Sequence, residues 1–490
     1  MNIAVIGSGA TAFGVLLKLK ELTNNLNLNV TIFSKDLNYI NEIFLKNSNK
    51  ETKNFELKKN KGLHSKIRHN FGTSFNEINI KNSKNLIYDI PYSGGLSDIW
   101  SASASLPTNI DVNNWGIKDS EINKYYDVIS KNLNLSGKKS INTNKKYFET
   151  QPSKFVNSPE IKEHSLINKF IKKFNKKSIN QNIQISKNYI FVDTNDNSNT
   201  SCINCQSCFS GCPRDSFFRP SKIINEWISK KIFSYKNEFV DKIVSQNDKY
   251  EIQTKNKKKF AFDKIFLCAG PYNSAKIIIK SFGFPSKKIC LYDIPTKYFP
   301  IISLLPKIKT EKNTFGFSSA SGSIVLDNNK YHHLLFGQIP KEYFYSKFGS
   351  VLLSKTIKRF FDSFCIYGTI YANRNDFWTY EITPDLNLSL NDNVSNRINE
   401  NLNIALNSLK KELFKCGFLL LNKLTIDGKS SSHYSSNLFN AFDINLSNSG
   451  EFKKNLHICD SSVLGSSSSS QPHTFFLMAN SYRLANNVFM

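Results

Sequence analysis

No stretch of this 490-residue chain approaches the roughly 18 consecutive apolar residues that a membrane helix needs, so a helical membrane protein is not expected. The opening MNIAVIGSG lacks the basic segment and apolar core of a secretory signal, and the expected compartment is the cytoplasm. No segment recurs at a fixed period, which argues against a repeat architecture. Acidic side chains are scarce: 39 Asp and Glu stand against 65 Lys and Arg, a formal net charge of +26. Such an excess suits nucleic acid or an anionic membrane. The basic residues are scattered rather than clustered, however, and no nucleic-acid-binding motif is present, so no nucleic-acid partner is expected. What the chain does have is enough to fold. Hydrophobic residues make up 40% and aromatics 13%, more than a disordered chain carries. Its length exceeds one ordinary core and predicts two domains.

The first 34 residues carry the clearest pattern. Ile3 to Ile6 is a buried-strand run. Gly7-Ser8-Gly9-Ala10-Thr11-Ala12 fits G-x-G-x-x-G/A, and a helical face of Ala12, Val15, Leu16 and Leu19 follows. Val30 to Phe33 reads as the next strand. Strand, glycine turn, helix and strand together form a dinucleotide-binding unit. Gly7 allows the tight turn, Gly9 lets backbone approach a pyrophosphate, and the helix N-terminus favours its charge. The acidic residue usual at the end of the second strand is missing. Ser34 stands there, with Asp36 two residues on.

Farther along, Leu37 to Tyr88 is polar and gives few signals. Pro91 to Pro107 is rich in small residues, and helices are predicted over Trp115–Leu135, His164–Phe174 and Pro220–Ile232. Lys257, Lys258 and Lys259 mark a hairpin turn between strands Tyr250–Thr254 and Phe260–Leu267. The second strand ends at Ala269-Gly270, suited to a second approach to the dinucleotide, and Phe239 and Val240 are placed to flank an adenine. At the C-terminal end, Asp460 follows a strand over Leu456–Cys459. The serine run 466–470 leads to Pro472, a residue favoured in the first turn of a helix, and Phe475, Met478, Tyr482 and Ala485 have helical spacing. A helix start aimed at a flavin pyrimidine would stabilise the negative charge of reduced flavin.

Four of the nine cysteines crowd into Cys202-x2-Cys205-x2-Cys208-x3-Cys212-Pro213, the spacing of bacterial-type ferredoxins. Zinc sites more often separate two C-x2-C pairs by a longer gap. An iron–sulfur cluster is the first reading, with zinc or an empty cysteine loop as alternatives. Because only one such run exists, Cys212 closes a 4Fe-4S cluster, a distant cysteine does, or the cluster is 3Fe-4S.

On these residues the chain resembles the glucose-methanol-choline (GMC) oxidoreductases, a resemblance that covers both ends and scattered central segments but not Ile289–Leu424. The family's glycine motif is similar to Gly7, Gly9 and Ala12 here. Its second flavin-contacting loop is similar to Gly94-Gly95-Leu96-Ser97-Asp98-Ile99, although Trp100 stands where the family usually has Asn or His. Its C-terminal flavin segment is similar to Cys459-Asp460-Ser461-Ser462-Val463. Its two active-site positions, a His followed by a His or Asn, correspond to His433 and His473. After His433 the run Tyr-Ser-Ser-Asn departs from the family's Gly-Thr-containing one.

The resemblance implies an α/β protein: an FAD-binding Rossmann-like domain from 1–110, 200–288 and 440–490, with an inserted α+β substrate domain from 111–199 and 289–439. It implies FAD held by Gly7, Gly9, Ala12, Ser34, Gly94, Gly95, Ser97, Val240, Ala269, Gly270, Asp460 and Ser461. It also implies oxidation of a CH–OH group of a sugar or other alcohol, as some sugar dehydrogenases of the family do with a cluster as electron exit. Imidazole suits that chemistry, since it titrates near neutral pH and can take the hydroxyl proton. The implied partners are the alcohol or sugar and an acceptor protein or quinone. Two rivals stand beside this reading: a flavin-dependent sugar mutase with no net redox turnover, and a degenerate flavoprotein bound to membranes. The second would use the basic helix, with Phe170, Ile171 and Phe174 on one side and Lys169, Lys172 and Lys173 on the other, for peripheral membrane contact.

Overall fold

The computed structural model describes residues 1–36, 76–80, 85–137, 152–177, 182–306, 314–338, 360–390, 395–465 and 473–490, except 24, 91, 100–101, 196, 207, 209–211, 213, 248, 374 and 429, and 328–329. Trp100, Pro472 and the serine run 466–470 lie outside the described residues. Strand β1 (Asn2–Ile6) is buried after its first residue. The chain turns at Gly7, forms helix α1 (Ala10–Thr23) and returns as β2 (Asn29–Ser34), parallel to β1 with Ile3 opposite Val30 and Ile6 opposite Phe33. β3 (Ser234–Asn237) pairs parallel with β2. β4 (Lys264–Leu267) pairs parallel with β1, and β5 (Leu456–Ile458) with β4. Glu451–Lys453 closes the edge antiparallel to β5. Parallel strands start and end together, so Ile6, Ser34, Asn237, Leu267 and Ile458 share one edge, where ligands of open α/β sheets bind.

The stretch Phe260–Leu267 is two strands rather than the one expected. Lys259–Phe262 completes a three-stranded antiparallel sheet with Val240–Gln246 and Lys249–Thr254, whereas β4 belongs to the parallel sheet. Asp263 makes the break. Its carboxylate accepts the backbone N–H of Asn2 at 2.7 Å, and its own N–H donates to the Asn2 carbonyl at 2.9 Å. The aspartate is thus pinned to the start of β1, and the chain changes sheets there. The lysine turn does join two antiparallel strands, with Lys259 already inside the second. The helix expected over Trp115–Leu135 forms over Asp119–Lys131, and a short helix, Asn109–Asn114, precedes it, with Gly116 at a φ of 69° between the two.

Helix α2 (Pro271–Phe282) follows β4, and helix α3 (Thr474–Val488) lies along α1. That contact is tight: a Cβ on Gly14 would fall 2.2 Å from Ser481 Oγ and 2.3 Å from the Met478 carbonyl. The buried residues form two cores. The first holds the parallel sheet together with Val112, Ile122, Tyr126 and Ile129, so that residues of 111–136, expected in the substrate domain, pack in the same core as the parallel sheet. It also takes in the four-stranded sheet Leu388–Leu390, Trp378–Ile382, Cys290–Asp293 and Tyr434–Ser436.

The second core lies under an antiparallel sheet ordered Phe418–Leu420, Thr296–Ser303, Cys365–Tyr371, Lys330–Gly337, Ser318–Asp327 and Ile183–Lys187. Helices Ser165–Lys177 and Ser395–Lys415 pack on it. The apolar side of the basic helix is used up there. Phe170 and Phe174 are fully buried, with the Phe170 ring 4.9 Å from Phe336 and 5.1 Å from Phe418. Among the described residues no helix is long and apolar enough to cross a membrane.

Candidate active site

A cavity of about 720 Å³ opens where the parallel strands end, within the size range of cofactor sites. The glycine turn forms its floor. Gly7 has a φ of 113°, and a Cβ there would lie 2.3 Å from the Cys268 carbonyl, so only glycine lets β1 and β4 end side by side. Gly9 lines the cavity, and its missing Cβ leaves room for Ser97 Oγ. Ala12 does not line it. It is fully buried in α1, where a small side chain lets the helix lie close to the sheet, so its part in the motif is packing rather than cofactor contact.

The loop 92–99 rests on this turn through hydroxyls. Ser97 Oγ accepts the Ala10 N–H at 2.9 Å and donates to the Gly94 carbonyl at 3.0 Å. Ser8 Oγ accepts the Gly94 N–H at 3.1 Å and lies 2.7 Å from Ser34 Oγ. Ser34 is thus tied into the turn, while Asp36 points instead to Asn237, whose Nδ2 donates to it at 3.2 Å. The carboxylate that reaches the cavity nearby is Glu238, at the end of β3; a hydrogen bond from Lys258 holds its pKa below the usual range. Phe239 and Val240 line the same end.

Gly95 (φ 52°) and Gly270 (φ 80°) both line the cavity, and a Cβ on either would meet no protein atom within 4 Å. Backbone bared toward an open cavity from two separate loops is a cradle for a ligand that lies against the main chain. Ala269 and Gly270 bring α2 to the cavity, and Asp460 and Ser461 bring the turn after β5. Asp460 is buried, which raises its carboxyl pKa; Ser274 Oγ donates to it at 2.5 Å and Ser462 N–H at 3.0 Å. Asp98 underlies the second loop. Burial pushes its pKa up to about 6 against the pull of Arg219 and the hydrogen bonds of Ser221. These features fit a dinucleotide cofactor such as FAD.

His433 and His473, forty residues apart in the chain, meet at the other end of the cavity with ring centroids 5.7 Å apart. His473 is buried at the start of α3, and His433 is half-buried just before strand Tyr434–Ser436. The Tyr371 ring lies 6.1 Å from that of His433. Phe317, Ile99 and Leu477 add apolar lining to the cavity, and the Leu477 N–H donates to the His473 carbonyl at 2.9 Å. Sequence reasoning missed Tyr371, Phe317 and Asp89. Asp89 lines the cavity with its pKa raised by burial and its carboxylate accepting from Asn273 Nδ2 at 2.9 Å. Tyr371 and Phe317 fall in aromatic-rich strand runs and carry no spacing that marks a site.

The cysteine loop packs behind this wall. The Gly316 N–H, next to cavity-lining Phe317, donates to the Cys208 thiol, and the Phe217 ring lies 5.6 Å from Phe317. Burial pushes the Cys202 thiol up to about 11 and raises Cys208 well above its usual value; Cys202 feels the charges of Cys205 and Cys212, and Cys208 those of Cys202, Cys205 and Cys212. Yet among the described residues no three His, Cys, Asp or Glu side chains converge closely enough to hold a metal. As placed, Cys202, Cys205, Cys208 and Cys212 are neighbours but not a ligand set, so the iron–sulfur expectation gains no support from the structure.

No family model and no curated protein matches the chain. Among solved structures, a fungal aryl-alcohol oxidase superposes with a TM-score of 0.61 at 8% identity, over 99% of this chain and 98% of that one. A Photorhabdus luminescens protein described as an FAD-containing monooxygenase gives 0.35 at 8% identity, over 100% and 88%. A flavin-dependent halogenase from Brevundimonas gives 0.32 at 8% identity, over 100% and 72%. The first likeness, spanning nearly the whole of both chains, is one of fold. The chain has the mixed α/β architecture of FAD-binding oxidoreductases.

Proposed function

We propose that the chain binds FAD along the glycine-lined floor of the cavity and oxidises a CH–OH group to a carbonyl at the histidine end. The observation that carries this is the meeting of His433 and His473 at one end of a cavity whose other end is bared backbone. When bound, FAD supplies the hydride acceptor. The protein's own part is to handle the hydroxyl. One imidazole takes the hydroxyl proton while the other hydrogen-bonds the same oxygen and fixes its orientation. His473 is assigned the proton-accepting role; it is buried at the N-terminus of α3, facing the cavity. Tyr371, Phe317, Ile99 and Leu477 keep water from the reacting carbon.

A sugar or sugar derivative is the first substrate class and a long-chain alcohol the second, both on the GMC resemblance. Release of FAD by acid, followed by a screen of sugars and alcohols with a dye acceptor, tests the reading. Bound NAD without flavin overturns it. A cytoplasmic location and an acceptor protein or quinone belong to the same proposal. An iron–sulfur cluster at Cys202, Cys205, Cys208 and Cys212 is a second proposal, supported by their spacing alone. Iron and acid-labile sulfide assays on anaerobically prepared protein decide it, and no electron step is assigned to those residues.

A further inference from the structure

The loop that carries His433 is built in a way that neither its sequence nor the proposed chemistry accounts for. It is a run of three serines, Ser430-Ser431-Ser432, and Ser432 takes a left-handed φ of 65°. A residue other than glycine seldom adopts that conformation, and it persists only where the surroundings enforce it. Here the enforcing group is a carboxylate. Asp293, fully buried at the end of strand Cys290–Asp293, accepts the Ser431 N–H at 3.2 Å on both oxygens and also accepts the Ser431 hydroxyl. The same hydroxyl oxygen accepts the backbone N–H of His433 at 3.0 Å. Ser430 Oγ accepts the Ser432 N–H at 3.1 Å and pairs with the Tyr434 hydroxyl at 2.6 Å. Tyr434 is in turn the register partner of Asp293 in the adjoining strand. His433 is therefore gripped from both sides by groups that converge on one aspartate 140 residues earlier in the chain.

Leaving a carboxylate in a fully buried place is costly, and among the described residues Asp293 makes no ion pair. Burial pushes its pKa up to about 7, against the hydrogen bonds of Ser431 and Ser430. The titratable groups that feel its charge are Tyr371 and Tyr380. Beyond the backbone N–H of its neighbour Ile294, the hydrogen bonds to this carboxylate come from the loop 430–431, and a carboxylate kept at such cost serves that loop's geometry.

We propose that Asp293 is the positioning residue for His433: through Ser431 it fixes the backbone from which the imidazole reaches the cavity beside His473. It touches no reacting atom. The inference rests on the reading of His433 as an active-site histidine, and its test separates the two. The first measurement needs neither flavin nor substrate. His433 is modified with diethyl pyrocarbonate in the full chain and mapped by mass spectrometry, with His473 as the internal reference. Asp293→Ala and Ser431→Ala should speed modification of His433 relative to His473. Asp293→Asn, which keeps an acceptor for the Ser431 N–H, should restore much of the wild-type ratio. An unchanged ratio in both Ala variants overturns the proposal; should Asp293→Ala fail to fold, Ser431→Ala alone decides.

The second measurement is flavin reduction in single turnover, with glucose and 1-decanol as the probes for the two proposed substrate classes. Asp293→Ala should lower the rate roughly tenfold to a hundredfold, the scale of a misplaced group, with flavin content retained. If His433→Ala lowers the rate and Asp293→Ala does not, the positioning role is wrong and the active-site reading stands. If His433→Ala leaves the rate unchanged while the modification ratio moves, the positioning is real and the active-site reading falls.

Discussion

Helix α2 begins and ends on a matched pair of glycines, one facing the cavity and one facing solvent. Gly270 caps its start with φ 80° and ψ 155°, and Gly283 caps its end with φ 84° and ψ 172°. Both conformations belong to glycine, and a Cβ on either would meet no protein atom within 4 Å. Replacing either by alanine should therefore cost the same kind of stability, about 1–3 kcal/mol for a side chain in that backbone region. The difference lies in what the methyl faces. At Gly283 it enters solvent, whereas at Gly270 it enters the cavity. If FAD lies against that backbone, the Gly270 methyl must push it away or be pushed, and a loss of about 1.4 kcal/mol already weakens binding tenfold. The assay is titration of flavin-free protein with FAD, alongside urea unfolding without it. Gly270→Ala should lose at least that factor in FAD affinity, and Gly283→Ala should keep the wild-type value at similar unfolding cost. Equal affinities in the two variants would refute the cradle at α2.

Three further outcomes follow from the same geometry. His473→Ala and His433→Ala should each slow flavin reduction by an alcohol roughly 100-fold, the scale of an acid–base group, and the double variant should be worse by less than the product, because both act on one hydroxyl; wild-type rates in both single variants would leave the histidines structural. Asp98 has its pKa raised from 3.8 to about 6, so it stabilises the fold fully below pH 4 and loses that contribution as pH rises through about 6, on the order of 3 kcal/mol. Urea unfolding of wild type should thus fall between pH 4 and 7 relative to Asp98→Asn, and parallel profiles would contradict the burial argument. Phe170→Ala should cost about 3–5 kcal/mol as a core truncation and leave sedimentation with anionic vesicles unchanged, whereas loss of vesicle binding with normal stability would show that the helix serves a membrane.

How much of this was legible beforehand depended on how local each signal is. The turn Gly7 to Ala12 could be read because its strand, glycines and helix follow one another within about twenty residues. The Lys257–Lys259 hairpin was visible for the same reason. The break at Asp263 was hidden, since KFAFDKIFLC alternates and runs like one strand, and only the bond from Asp263 to Asn2, 261 residues away, reveals two. The two histidines could be named through the family resemblance, but not the Asp293 grip on one of them. The helix within Trp115–Leu135 could be read from its own spacing, since Ile122, Tyr126 and Ile129 fall on one buried face of Asp119–Lys131. The cysteine run was the most specific spacing in the sequence, yet its side chains do not converge as placed.

The embrace of α1 by α3 bears on how the protein is made. Gly14 meets Ser481 and Met478, and β5, which completes the sheet beside β4, lies only a short way before α3. On the ribosome the first strand and helix emerge hundreds of residues before the partners that cover them. Phe13 meets Phe218 and Trp227 midway through synthesis, but the face of α1 at Gly14 waits for Met478 and Ser481. The nascent chain therefore spends much of its synthesis with its parallel sheet and α1 unfinished, and the waiting segment is a natural client for chaperones.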